Sequence, residues 1–346
     1  MDSEVPPIDP IEPALEPPAV FSPAPPPRPS AVRNVFIGPR GLRAGWKWLL
    51  FILVFSGFVF CLGFVATRFI SRPAPHTQPG LKLMFVFEFI QASAVLLATG
   101  VMAKLVDKKP WGYFGLPLRR AFRSEFWLGA IVGFGALAIQ LEIMHLCGWF
   151  DFGSIALHDD DILRYGAYWT VFFLFTGLFE EGFLRGYPQR ILTNGIGFWP
   201  AAVLLSVIFA ALHIGNGGEN WFGIFMVFID GLTMSFSLWR TGNMWFAVAN
   251  HAAWDWSQTF FFGTPDSGMK PIGALFAPSF HGPALLSGGA DGPEGSVLVI
   301  LAEALIVLSI AVLYPKRKYA LLEDDIAPST DNATTDDLGV QPSPIV

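Results

Sequence analysis

Cysteine is nearly missing from this chain, and charge is thin. Only Cys61 and Cys147 occur among 346 residues, both inside apolar runs, where a thiol behaves as a small hydrophobe. Two cysteines can build neither a disulfide framework nor a cysteine-rich zinc site. Charged residues make up 14% of the sequence, against roughly a quarter in soluble domains, which excludes an ordinary globular surface. The sequence contains no HExxH and no GxSG, and Asp230 has no companion motif for a two-aspartate site. Internal repeats are also lacking, which weakens an inverted-repeat transporter reading.

What is present belongs in a bilayer. Apolar residues reach 53%, with 34 Phe and 12 Trp, and the mean hydropathy is +0.49. This composition fits a lipid-facing surface with interfacial aromatic anchors. The net charge of −6 comes largely from the two ends and an acidic loop, so it gives no reason to expect a nucleic-acid partner. Membrane lipids are the partners that this composition leads one to expect.

The expected fold class is all-α: a polytopic membrane helix bundle of about eight transmembrane helices. Eight apolar segments approach the ~20 residues that cross a bilayer; they fall near 46–70, 83–106, 126–150, 168–190, 198–213, 221–239, 243–262 and 296–314. Residues 1–44 form a proline-rich extension read as disordered, and it is not a signal peptide because its positive charges follow it. The transmembrane domain is placed at 45–314, and the acidic tail at 315–346 is read as disordered. With both termini cytoplasmic, 17 of the 22 Lys and Arg lie on or near the cytoplasmic side, which satisfies the positive-inside rule. The expected location is a bacterial cytoplasmic membrane.

The stretch "FLFTGLFEEGFLRGYPQR", residues 172–189, places two adjacent acids in a run that otherwise reads as membrane. Acids there face the bundle interior and are functional candidates by default. Glu181 and Arg185 are four apart with the acid first, the favourable order for an ion pair. Glu180, turned about 100° away on a regular helix, needs a partner on another helix or a wet cavity. Two later segments offer candidates. His213 follows Phe209 by one turn in "SVIFAALHIGN", and His251 and Asp255 share a face in "NMWFAVANHAAWDWSQ".

"EEGFLR", "FAALH" and "HAAWD", in that order on successive membrane segments, resemble the three motifs of the CAAX-protease and bacteriocin-processing family. The similarity covers roughly residues 165–260. It implies a membrane-embedded endopeptidase acting on a peptide or protein substrate, in which Glu180 activates water with help from His213. The third motif, His251 and Asp255, then stabilises the developing oxyanion or, in another interpretation, binds a metal. Asp255 stands where the family often has Asn. An ionised Asp only accepts hydrogen bonds, so Asp255 is expected to orient His251 and leave the imidazole as donor. Arg185 and Phe209 are expected to support the site, Phe209 by packing or by touching substrate.

The sequence leaves metal use open. Glu180, His213 and His251 are a ligand set that can hold Zn2+ with a free position for water. Two other functions stay open as well: a non-catalytic binding or immunity protein of the same fold, and a proton-coupled transporter. Glu88, Gln91, Glu142, His145, Asp230 and Glu303 are read as interhelical hydrogen-bonding groups. By segment position, Glu180 and His251 sit nearer the cytoplasmic side and His213 higher, with a lateral or cytoplasmic opening expected for a peptide.

Overall fold

In lipid every backbone polar group must be satisfied within the segment that carries it, so apolar runs of this length become helices. The computed structural model describes residues 31–39, 41–70, 80–218, 220–267 and 269–321. A short helix α1 (Ala31–Phe36) and a two-stranded turn, β1 (Ile37–Gly38) with β2 (Gly41–Leu42), lead into α2 (Ala44–Ala66). Then come α3 (Leu81–Val101), α4 (Ser124–Leu146), strand β3 (Phe150–Ile155) and α5 (Asp160–Glu181). Helices α6 (Tyr187–Ile196), α7 (Phe198–His213), α8 (Trp221–Thr241) and α9 (Trp245–Trp256) follow. Strand β4 (Phe276–Phe280), a short α10 (Ala284–Ser287) and α11 (Val299–Leu313) complete the order.

The protein is an all-α helix bundle of the integral membrane kind. Each of the eight expected segments contains a helix, but five helical stretches are long and apolar enough to cross a membrane by themselves: 44–66, 81–107, 124–146, 160–196 and 221–241. Helices α7 and α11 are apolar but shorter, and α9 is extended by a π-turn over Ser257–Phe261.

Two ends of the bundle are tied by different segments. At one end, Lys47 pairs with Asp107 at 2.5 Å, Tyr187 donates to the same carboxylate at 2.6 Å, and the Met244 amide donates to Gly115 at 2.8 Å. There the chain beyond α11 folds back: the Lys318 and Tyr319 amides donate to the Trp239 carbonyl, and the Arg190 guanidinium lies between the rings of Tyr113 and Tyr319. At the other end β3 pairs antiparallel with β4, Trp169 donates to the Ile272 carbonyl, and Asn220 caps α8 while its amide donates to Asp291. The ordered fold therefore extends past both expected limits, from 45 back to 31 and from 314 on to 321. The buried Tyr319 ring explains the second extension. Residues 1–30 and 322–346, most of the two expected disordered tails, lie outside the described residues.

Helix α9 is central. Gly129 and Gly133 on α4 allow an approach so close that a Cβ at either would stand 2.3 or 2.4 Å from the carbonyl oxygens of Phe246 and Asn250. Small residues at such contacts are how membrane helices pack. Gly177 on α5 does the same from another side, where a Cβ would meet the Val248 carbonyl at 2.7 Å. The helix carrying His251 is thus clamped between α4 and α5.

Candidate active site

The acid pair lies where α5 loosens. After Glu181 the backbone passes through a π-turn over Gly182–Gly186 before α6 begins, a wider winding that recurs at functional sites. Gly182 and Gly186 bracket that turn and are its sequence signal; periodicity alone reads the stretch as one regular helix.

Glu181 is fully buried, and its Oε1 lies 3.3 Å from Arg185 Nη1 and 3.1 Å from His251 Nδ1. The expected local ion pair is present, and it also reaches α9. Arg185 is itself 2% exposed, with its guanidinium 4.8 Å from the centre of the Phe209 ring. Glu180 finds its partner on another helix: its Oε2 is 3.4 Å from His251 Nε2. Asp255 Oδ2 is 3.5 Å from that same Nε2.

These contacts redistribute the expected roles. Glu181, not Asp255, holds the nitrogen of His251 that faces away from Glu180, while Asp255 shares the near nitrogen with Glu180. The four-residue spacing brings Asp255 beside the imidazole but cannot fix which ring nitrogen it meets. Carboxylates only accept, so a ring nitrogen facing Glu180 and Asp255 requires a proton on Nε2 or on one of the two carboxyl groups. With Nδ1–H donating to Glu181, a proton on Nε2 makes His251 a donor from both nitrogens.

His213 closes another side of the site. Its Nδ1 is 2.9 Å from the Phe209 carbonyl, which can only accept, so that nitrogen carries the hydrogen and Nε2 of the neutral ring is left as an acceptor. The Phe209 ring stands edge-on to His213 at 4.7 Å between centres and 6.4 Å from His251. Phe209, 4% exposed, packs among Arg185 and both histidines and bridges the depth difference expected between them.

Glu180, His213, His251 and Asp255 line one cavity of about 330 Å³. Five further acids line it: Glu88, Asp230, Asp266, Glu294 and Glu303. No Lys or Arg is among its lining residues. Glu303 does accept an interhelical hydrogen bond, from Thr233 at 2.9 Å, as read from the sequence, yet like Glu88 and Asp230 it also faces the cavity. Asp266 and Glu294 carry no sequence signal, since both lie in the segment joining α9 to α11. Thr259 donates to Asp266 at 2.8 Å, and Trp254 donates to Glu294 at 3.0 Å. Burial, and then the neighbouring Glu294 carboxylate, push the Asp266 carboxyl well above its ordinary value. Glu142 is exposed and His145 binds the Phe150 carbonyl at 2.9 Å, both away from the cavity.

The candidate zinc ligands, which the sequence left open, do not come together as one set. Among the described residues, the one group of three or more such side chains with ligand atoms within 4.8 Å of one another is Asp255, Asp266 and Glu294. Glu180, His213 and His251 do not form such a group. Both nitrogens of His251 already face carboxylates, and His213 spends its Nδ1 on its own helix. The residues present do not fit the Glu180, His213 and His251 zinc set, and no chemical step below passes through a metal.

Residues 163–257 match the family described as Rce1-like, type II CAAX prenyl endopeptidase Rce1-like. The matched stretch contains all three motifs and supports the CAAX-protease and bacteriocin-processing family. No curated protein and no solved structure matches the chain. The matched family implies CAAX intramembrane protease activity in general terms, with membrane association and peptide substrates.

Proposed function

We propose that this protein is an intramembrane endopeptidase in which Glu180 activates the attacking water. The observation that carries the proposal is the meeting of Glu180 with His251 at 3.4 Å, in a cavity that His213 also lines. Glu181 is engaged by Arg185 and His251, which leaves Glu180 as the carboxylate of the pair facing open space. A carboxylate within hydrogen-bond reach of water can take its proton as it attacks a peptide carbonyl. His213 Nε2, the free acceptor of its ring, assists in holding that water. His251, held from behind by Glu181, presents Nε2–H to the oxygen on which negative charge develops.

After attack, the proton taken by Glu180 passes to the leaving amine and the C–N bond breaks, so a single carboxyl serves first as base and then as acid. Phe209 keeps the two imidazoles apart and the Arg185 guanidinium covered. The other two functions gain nothing specific from the geometry.

The deciding experiment uses purified protein in detergent with a fluorescence-quenched peptide library. Wild type should cleave, and Glu180→Gln, His213→Ala and His251→Ala should each lose cleavage by about 10²-fold or more, the usual contribution of a general base or oxyanion donor. Combining them should add little, because members of one catalytic unit are strongly non-additive. Robust cleavage by Glu180→Gln would end the assignment.

A further inference from the structure

Seven carboxyl side chains line the cavity, and no Lys or Arg does. A cleft walled by one sign of charge focuses its field and concentrates the opposite charge. Arg185 lies outside the lining and is committed to Glu181. Among the described residues, the imidazoles of His213 and His251 are the lining groups able to carry positive charge.

The acids differ in what already meets them. His251 stands between Glu180 and Asp255. Asp266 accepts from Thr259, while Glu294 accepts from Trp254 with one oxygen and from the Ser267 amide, at 3.1 Å, with the other. Glu88 has the Gln91 amide at 3.5 Å. Two acids remain. Asp230 has no hydrogen bond or ion pair among the described residues. Glu303, 8% exposed, accepts from Thr233 with Oε2 at 2.9 Å, and its Oε1 meets no donor among the described residues.

These two acids form one wall. Thr233 follows Asp230 by three residues on α8, hence on the same face, and its hydroxyl ties that face to Glu303 on α11. Both carboxyl groups line the cavity that holds Glu180 and His251, and their charges oppose each other. A neutral donor could fill an open hydrogen-bond position, yet buried carboxylates also need a counter-charge. An ammonium or a guanidinium donates from every N–H and accepts nothing, and hydrogen bonds between ions of opposite sign are shorter and stronger than neutral ones. A polypeptide cleaved here brings side chains of its own, and they can supply the charge that the lining lacks.

We infer that Asp230 and Glu303 receive a Lys or Arg side chain of the polypeptide substrate, so that cleavage falls within a few residues of a cation. The inference rests on the protease reading above and adds the class of substrate. Asp230 and Glu303 bind in it and take no part in proton transfer. The open oxygen of so deeply buried a side chain as Glu303 separates this wall from a solvated acidic face.

The test compares peptides that differ in charge alone. Full-length protein in detergent is given quenched peptides that carry Lys or Arg, or the neutral counterparts norleucine and citrulline, at each position around the scissile bond. At one position wild type should favour the cation by roughly 10- to 10²-fold in kcat/KM, the worth of hydrogen bonds to charged groups. Glu303→Gln, which keeps an oxygen for Thr233, and Asp230→Asn should each bring that ratio toward one; a ratio taken within one variant is insensitive to a general loss of activity. Equal kcat/KM for charged and neutral peptides in wild type, or an undiminished preference in both variants, overturns the inference while the protease reading stands. Absence of cleavage of every peptide overturns the protease reading, and binding then decides the inference. By fluorescence anisotropy the Lys peptide should bind wild type more tightly than the norleucine peptide, and Glu303→Gln should remove the difference; equal binding to wild type overturns the inference. A divalent cation is the rival occupant, since ligand atoms of Asp255, Asp266 and Glu294 lie within 4.8 Å of one another. Mn2+ that binds wild type, displaces the Lys peptide and fails to bind Asp266→Asn would assign the counter-charge to a metal ion and overturn the inference.

Discussion

Glu181 and His251 meet across α5 and α9, with Nδ1 3.1 Å from Oε1, and Arg185 shares that same oxygen at 3.3 Å. One carboxylate thereby fixes the orientation of the imidazole and neutralises a buried guanidinium. In the proposed mechanism the second acid of the pair supports and the first reacts.

Removing the guanidinium tests this division. Arg185→Ala leaves Glu181 buried without its cation, a change that costs about 3–5 kcal/mol. It should lower the melting temperature in detergent clearly, whereas Glu180→Gln, nearly isosteric and facing a cavity, should leave it close to wild type. Equal melting of the two variants and the wild type would remove the structural role given to the pair.

The position of Asp255 predicts tolerance there. Because Glu181 holds the far nitrogen of His251, Asp255→Asn should keep the ring in place and reduce peptide turnover far less than the ~10²-fold expected for loss of a general base. Glu181→Gln, which weakens the contact to Nδ1 and the pair with Arg185, should cost more than Asp255→Asn in the same assay. The reverse order would return the orienting role to Asp255.

Gly177 lies one turn before Glu181 on the face of α5 that meets α9. A methyl group there would stand 2.7 Å from the Val248 carbonyl oxygen, a contact that only a shift of one helix relieves. Gly177→Ala should cost about 1–3 kcal/mol, as overpacking generally does, and should depress turnover by widening the gap between Glu181 and His251. Measuring both melting temperature and kcat checks it, and wild-type values for the two would show that the close approach is not needed.

Asp266 predicts a pH dependence. Burial, then Glu294, raise its carboxyl pKa in the folded state, so the folded protein favours the protonated form more than the unfolded chain does. That contribution to stability is fully present below the unfolded-state value and is lost as pH rises through the folded-state value. Asp266→Asn keeps an oxygen to accept from Thr259 and cannot ionise, so it should flatten the decline of detergent stability with rising pH. An unchanged profile in the variant would assign the decline to other groups.

Much of this was legible in the sequence because lipid leaves a chain few choices. A long apolar run must close its own hydrogen bonds, so the positions of the helices followed from hydropathy, and an acid in such a run must face inward, so Glu180 and Glu181 declared themselves. The four-residue step to Arg185 gave the local pair, and the order of three motifs brought His213, His251 and Asp255 together. Which nitrogen of His251 each carboxylate meets depended instead on the rotation of α5 against α9, set by the close contact at Gly177 and the π-turn after Glu181. Asp266 and Glu294 entered the cavity because the segment between α9 and α11 folds inward, held by Thr259, Trp254 and the Gln140 amide that donates to the Pro293 carbonyl. Such contacts join residues far apart in the chain, and periodicity along a single segment carries no record of them.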